Sequence, residues 1–336
     1  MRARMWVAGL AVALIGLVSL GNAGRLDLDG QAPAAATAPQ SGSWTAKTHP
    51  EWKGDDVVPR LQLSLRTPEG RDHWGFGVPV AELTDLPAAA RAGVVKDAHF
   101  TLTRDAGAFR FTGAFDRGEG AGRFTFAPSS AYLSAMAQFG YRDLSGEQVM
   151  RLAVLDVTTA FTRELRDAGQ TGLALDQLTR MKIHGVTGAN VRELAALGYA
   201  PLDADTLVRL RIHGASPDVI RGFQQAGLGP LTAEDVVRLR IHGVTPDEID
   251  ALAALGMRGL SADELVKFRI HGVRPAFIRE IRGLGFTTAD EDDFVKMRIH
   301  GVDAAFVTSA RADGLTLTTA DDAVDLAIHG RRWRTR

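Results

Sequence analysis

The chain contains no cysteine in its 336 residues, which excludes disulfide stapling. That absence does not by itself place the protein in a reducing compartment, because an exported protein with enough core needs no staples. Residues 171 to 336 carry 21 Lys plus Arg against 22 Asp plus Glu, where a nucleic-acid module is usually strongly basic. Also missing are a Gly-x-Ser-x-Gly elbow, a Ser-x-x-Lys pair and a phosphate-cradling glycine loop with its lysine, so the common signatures of nucleophilic and phosphoryl chemistry are absent. The sequence points away from an enzyme, and no cofactor or metal is expected.

What the chain does have is the tripeptide Ile-His-Gly, six times, with histidines at His184, His213, His242, His271, His300 and His329. The spacing is 29 residues every time. A fixed period in this range marks units that stack on their neighbours. Ten residues before the histidine stand Asp203, Thr232, Ser261, Asp290 and Thr319, all good helix N-caps, and three residues after four of them come Asp235, Glu264, Asp293 and Asp322. Ser261 with Glu264 is a capping box, and the others are close relatives. Leu207, Leu210 and Ile212, or Leu265, Phe268 and Ile270, are expected to give that helix its buried flank. Gly185, Gly214, Gly243, Gly272, Gly301 and Gly330 follow the histidines, and glycine ends a helix in the left-handed conformation without steric cost.

A second helix begins at Ser216-Pro217 or Thr245-Pro246, a capping hydroxyl with proline at the first helical position, and carries Ile249, Leu252 and Leu255, or Ile278, Ile281 and Leu284. Each unit is therefore an αα-hairpin. Ordering such a hairpin costs about 1–2 kcal/mol per residue in backbone entropy, while each buried apolar side chain returns only about 1.5–3 kcal/mol. The hairpins must stack, and residues 144 to 330 are expected to form an α-solenoid. Leu144 to Gly169 fits the same template with Leu155-Asp156 in place of His-Gly, and the last copy breaks off at Gly330, as capping units do.

The region before the repeats divides into three. Residues 1 to 23 combine Arg2 and Arg4 with an apolar run from Met5 to Leu20 and then small residues, an export signal or a retained N-terminal anchor. Residues 24 to 43 form an Ala/Pro/Ser-rich linker. From 44 to 141 the period changes to two, in Leu61, Leu63 and Leu65, Phe100 and Leu102, Phe109 and Phe111, Phe124 and Phe126, which predicts a small antiparallel sheet. The fold class is therefore α+β, a small β domain followed by helical repeats. Val80 to Leu86 is expected to add a helical turn and Ala131 to Phe139 a short helix.

Thr-Leu-Thr-Arg-Asp-Ala-Gly at 101 to 107, Phe-Arg-Phe-Thr-Gly at 109 to 113, Gly-Ala-Gly-Arg-Phe-Thr-Phe at 120 to 126 and the Ile-His-Gly repeats together resemble the extracytoplasmic C-terminal module of BlaR-like regulatory membrane metallopeptidases and related stand-alone exported proteins. The resemblance spans roughly residues 60 to 330 and implies a periplasmic or extracellular location and a sensing role. The metallopeptidase signature of two histidines a helical turn apart with an adjoining glutamate is absent, so any such role works through binding. A second likeness, of Leu231 to Val237 to the opening of a TAL-effector DNA-binding repeat, fails because His242 would fall near the reading loop, and a histidine recurs there in every unit where a base code needs variation.

The histidines are expected to be structural, each ring bonding a free carbonyl at its helix end. A metal-binding imidazole ladder is the alternative. Two basic columns accompany them: Arg180, Arg209, Arg238, Lys267 and Lys296, and the candidate binding stripe Lys182, Arg211, Arg240, Arg269 and Arg298. A basic stripe suits an anionic polymer or nucleic acid. The simpler expectation pairs these side chains with Asp205, Glu234, Asp263 and Asp292, four residues away on the same helix. Asp72-His73-Trp74 with His99 is a possible cleft, and the tail 331 to 336 is basic around Trp333. The favoured partner is a protein or peptide held on the repeat surface.

Overall fold

The structure is a computed structural model that describes residues 38–48, 59–68 and 73–330. The expected export signal or anchor, Asp72, the basic tail and most of the linker lie outside these residues. By contact the chain divides into two compact units, Met1–Ile183 and His184–Arg336.

In the first unit the period-two runs form strands β1 (Gln40–Thr48), β2 (Arg60–Arg66), β3 (His73–Pro79), β4 (Leu83–Thr84), β5 (Val94–Arg104), β6 (Gly107–Asp116) and β7 (Glu119–Pro128). They pair in the order β3-β2-β1-β7-β6-β5-β4, antiparallel throughout. Alternation turns Leu61, Leu63, Leu65, Phe100, Leu102, Phe109, Phe111, Phe124 and Phe126 to one face, and all are buried. Trp44 sits among the rings, edge-on to Phe100 and Phe111 at 5.3 and 6.0 Å. Its indole Nε1 donates to the carbonyls of Thr112 and Arg123 at 3.1 and 3.0 Å.

The β6–β7 turn is Arg117-Gly118, both with positive φ (46° and 88°), the geometry that suits a two-residue hairpin. The short turn within 80 to 86 is a 3₁₀ turn at Val80–Glu82 that leads into β4. One expectation is corrected here. Gln40 to Ser43, read as linker from its small polar composition, is the first half of β1 and pairs with β7 from Phe126 to Arg123. Gly42 permits it, because a Cβ there would stand 2.1 Å from the Arg66 carbonyl oxygen.

The helices are α1 (Ser130–Gln138), α2 (Gly146–Val154), α3 (Thr159–Asp167) and α4 (Leu175–Ile183) in the first unit. The second holds α5 (Gly188–Ala196), α6 (Ala204–Ile212), α7 (Pro217–Gln225), α8 (Ala233–Ile241), α9 (Pro246–Ala254), α10 (Ala262–His271), α11 (Pro275–Gly283), α12 (Glu291–Ile299), α13 (Ala304–Ala312) and α14 (Ala320–His329). The change from strand to helix comes where the period changes, but the compact unit runs on to Ile183. The reason is that α2 packs on β1, β6 and β7, so the atypical first hairpin belongs to the sheet. No helix among the described residues is long and apolar enough to cross a membrane.

In the second unit each first helix touches the first helix of the next repeat, α6 to α8 to α10 to α12 to α14, and each second helix does the same, α5 to α7 to α9 to α11 to α13. That arrangement in two rows is an α-solenoid. The caps form where the sequence signals them. Thr232, Ser261, Asp290 and Thr319 each close a reciprocal capping box with Asp235, Glu264, Asp293 and Asp322. The Thr319 and Thr318 backbone and hydroxyl donors hold the Asp322 carboxyl down at about 2.

Candidate functional site

The Ile-His-Gly sequences at His213, His242, His271 and His300 each end their first helix in a Schellman motif, whereas Gly330 of the last copy, expected to be left-handed like the others, is right-handed with φ of −63°. The glycine takes the left-handed conformation, with φ of 65° to 73° at Gly185, Gly214, Gly243, Gly272 and Gly301. Its N–H reaches back to the carbonyl two residues before the histidine, as Gly243 does to Arg240 at 3.0 Å. The following residue donates to the carbonyl three before, as Val244 does to Leu239 at 2.9 Å.

The histidine carbonyl is left over, and the next repeat supplies its donor. Arg211, Arg240, Arg269 and Arg298 place Nε at 3.5, 3.3, 2.9 and 3.4 Å from the carbonyl oxygens of His184, His213, His242 and His271. The candidate binding stripe is thus a row of clasps, each arginine bridging to the repeat before its own. Lys182 works to the same end with different chemistry. Asp156 occupies the glycine column with φ of 53°, and its carboxylate lies 3.4 Å from Lys182 Nζ. Second helices repeat the device, since Arg282 donates to the Leu255 carbonyl and Arg311 to that of Leu284 at 2.7 Å.

The glycine column is needed twice over, for its φ and for the passage of the arginine. A Cβ on Gly185, Gly214, Gly243 or Gly272 would meet an arginine Nη2 at 3.3, 3.3, 2.6 or 3.1 Å, whereas one on Gly301 would meet nothing within 4 Å, because the corresponding position of the last copy is Ala327. Gly301→Ala is therefore expected to cost only the left-handed backbone term, about 1–2 kcal/mol. Gly243→Ala should cost about 1 kcal/mol more, the worth of a displaced hydrogen bond. Urea midpoints for the two variants measure the difference, and equal losses would mean that the arginine moves aside freely.

The expected ion pairs at four residues' distance are corrected: within a helix Arg238 meets Asp235 at 2.7 Å and Lys296 meets Asp293 at 3.8 Å, three residues apart, and the column also reaches across to the next repeat. Arg209, Arg238 and Lys267 reach Glu234, Asp263 and Asp292 at 2.6, 2.7 and 2.6 Å, and Lys296 stands 3.8 Å from Asp321. Each partner is 25 residues on, in the next repeat. The i,i+4 pattern is seen at Asp176 and Arg180, 3.4 Å apart. Most of these side chains are exposed, so each pair contributes about 0–1 kcal/mol, and their effect is to set the register between repeats.

The histidine expectation is corrected as well. Among the described residues none of the six repeat histidines makes a ring hydrogen bond, and it is the backbone carbonyls that are engaged. No three His, Cys, Asp or Glu side chains converge as a metal would require among the described residues. His73 on β3 and His99 on β5 are separated in the sheet by β2, β1, β7 and β6, so the possible cleft they suggested does not assemble; His99 instead pairs with Asp97 at 2.8 Å.

The remaining surprise is the isoleucine. Leu207, Leu210, Leu265 and Phe268 are buried as expected, but Ile212, Ile241, Ile270, Ile299 and Ile328 are 53, 55, 60, 54 and 48% exposed. The signal was present in the sequence: at about 100° per residue, a position two beyond a buried column points about 200° away from it. Equivalent positions of stacked repeats line up, so the second unit carries a ridge of five exposed isoleucines, each followed by a histidine whose ring makes no hydrogen bond among the described residues.

The buried columns tolerate change, with Leu207, Val236, Leu265 and Phe294 in one and Leu210, Leu239, Phe268 and Met297 in another, while the Ile-His pair is the same in all six copies, its isoleucine exposed in the last five and its histidine half-buried in the first four. The glycine has a backbone reason to be constant and the histidine carbonyl would serve from any residue. The fold gives the exposed isoleucine no comparable reason. No known family model matches this chain, and no curated protein matches it.

Proposed function

We propose that this protein is a non-catalytic interaction scaffold or sensor that binds a protein or peptide partner along the Ile-His ridge of its helical repeats. The observation that carries this reading is the constancy of an exposed isoleucine, next to an invariant histidine, across repeats whose buried positions vary. Single exposed apolar residues need no explanation, but a line of them on one surface is the usual mark of an interaction site. The second basic column flanks the ridge with its arginine Nε donors committed to the preceding repeat, and the first is matched with acids. Both observations favour a polypeptide partner over an anionic polymer or nucleic acid. The charged N-terminus with its apolar run, and the resemblance to extracytoplasmic modules, support a place in the bacterial envelope, soluble or held at the inner membrane by residues 5 to 20.

The test compares the native chain with the Ile241→Lys/Ile270→Lys double variant as bait in an envelope extract of the source cells. Both positions are more than half exposed, so stability should change by no more than about 0.5 kcal/mol per site. A partner retained by the native chain should fall at least tenfold on the variant. Equal recovery on both baits would sink the proposal.

A further inference from the structure

The ridge columns occur once more, in the first unit, and there they are covered. Val154 and Ile183 stand in the isoleucine column and Leu155 in the histidine column of their repeats. These three, with Arg151, enclose a cavity of about 30 Å³ whose other wall is Trp74, Gly75 and Phe76 of β3. Val154 is 7% and Trp74 8% exposed, and Leu155 and Ile183 are half-buried. β3 is an edge strand of the sheet, an extended segment that carries Trp74, Phe76 and Val78 on one face. In this chain, then, the column that is bare in the second unit is met in the first by an extended strand bearing aromatic side chains.

Resting on the reading above, we propose that the ridge Ile212, Ile241, Ile270, Ile299 and Ile328 takes a partner segment of the same chemistry, an extended polypeptide that lays bulky apolar side chains at alternate positions across the isoleucines. Two features favour an extended chain over a lipid or a free apolar ligand. An extended segment brings unpaired backbone carbonyls that need donors. Among the described residues the Nη groups of Arg211 and Arg240 make no hydrogen bond, each of these arginines using Nε alone, and they stand beside the ridge.

The probe is a dye-labelled synthetic peptide of residues His73–Pro79, His-Trp-Gly-Phe-Gly-Val-Pro, titrated with the full chain and followed by fluorescence anisotropy. Saturable binding is expected, weakened at least tenfold by Ile241→Lys/Ile270→Lys and abolished when serine replaces the peptide's Trp and Phe. Because the substitutions lie in the second unit, their effect separates ridge binding from exchange with the resident β3. Absence of saturable binding, or binding indifferent to either change, overturns the inference. If a partner is still captured through the ridge in that case, only the extended aromatic occupant is wrong; if capture ignores the ridge substitutions, the functional reading falls with it.

Discussion

Trp44→Ala is expected to destabilise the sheet unit by about 3–5 kcal/mol, the range for emptying a fully buried large aromatic site. Trp44 is 1% exposed and meets two phenylalanines edge-on, so truncation removes both area and favourable ring geometry. The space it fills is created by glycine. Gly122 pairs with Trp44 across β1 and β7, and Gly113 pairs with Gly122 across β6 and β7. A Cβ on either glycine would run into backbone at 1.9 to 2.2 Å. Trp44→Phe separates the two contributions: it keeps most of the apolar ring but strips the donor from the Thr112 and Arg123 carbonyls, for a loss of about 1–3 kcal/mol. Hydrogen exchange resolved by segment is the measurement. Protection should fall across β1, β6 and β7 and hold from 184 to 330, and a uniform loss over both units would contradict the division.

Arg269→Ala is expected to cost about 3–5 kcal/mol, far more than Arg298→Ala at about 0.5–1.5 kcal/mol. Both arginines clasp the preceding histidine carbonyl. Arg269 also donates to the Gly243 carbonyl and, at 3.2 Å, to the Glu248 carboxylate. Glu248 is 12% exposed at its side chain, and burial already pushes its carboxyl above the ordinary range, with Arg274 at 3.1 Å pulling the other way. Removing Arg269 leaves that charge short of one of its two partners, the circumstance in which a buried ion pair becomes expensive. Arg269→Ala/Glu248→Gln should recover a large part of the loss, as removal of both partners of a coupled pair does. Urea unfolding of the three variants decides the matter. Equal losses for Arg269→Ala and Arg298→Ala would show that Glu248 contributes nothing to the clasp.

The Glu248 arrangement also accounts for a departure from the repeat pattern. Where other copies have Thr187, Ser216, Thr245 or Asp303 as a side-chain N-cap, α11 begins after Arg274, which caps nothing. Its guanidinium is committed to Glu248 of the preceding repeat instead. A cap is worth about 0.5–2 kcal/mol, and the exchange of one for an ion pair between repeats is intelligible only with both helices in view.

The amino-acid sequence determined the elements of this protein and their punctuation. Helix starts at Thr232, Ser261 and Asp290, stops at Gly214 and Gly243, the alternating phenylalanines of the sheet and the 29-residue period all depend on interactions within four or five residues, or on a periodicity that one strand or helix displays by itself. Tertiary structure decided what the surface columns do. The acids and bases of the first column and the arginines of the second meet partners 25 and 27 residues away, a distance set by how one hairpin lies on the next. Local spacing alone favoured same-helix pairs. The alignment of the isoleucines was decided at the same level: helical spacing turns each one away from its buried column, but only the stacking of the hairpins brings them into one line and leaves that side uncovered.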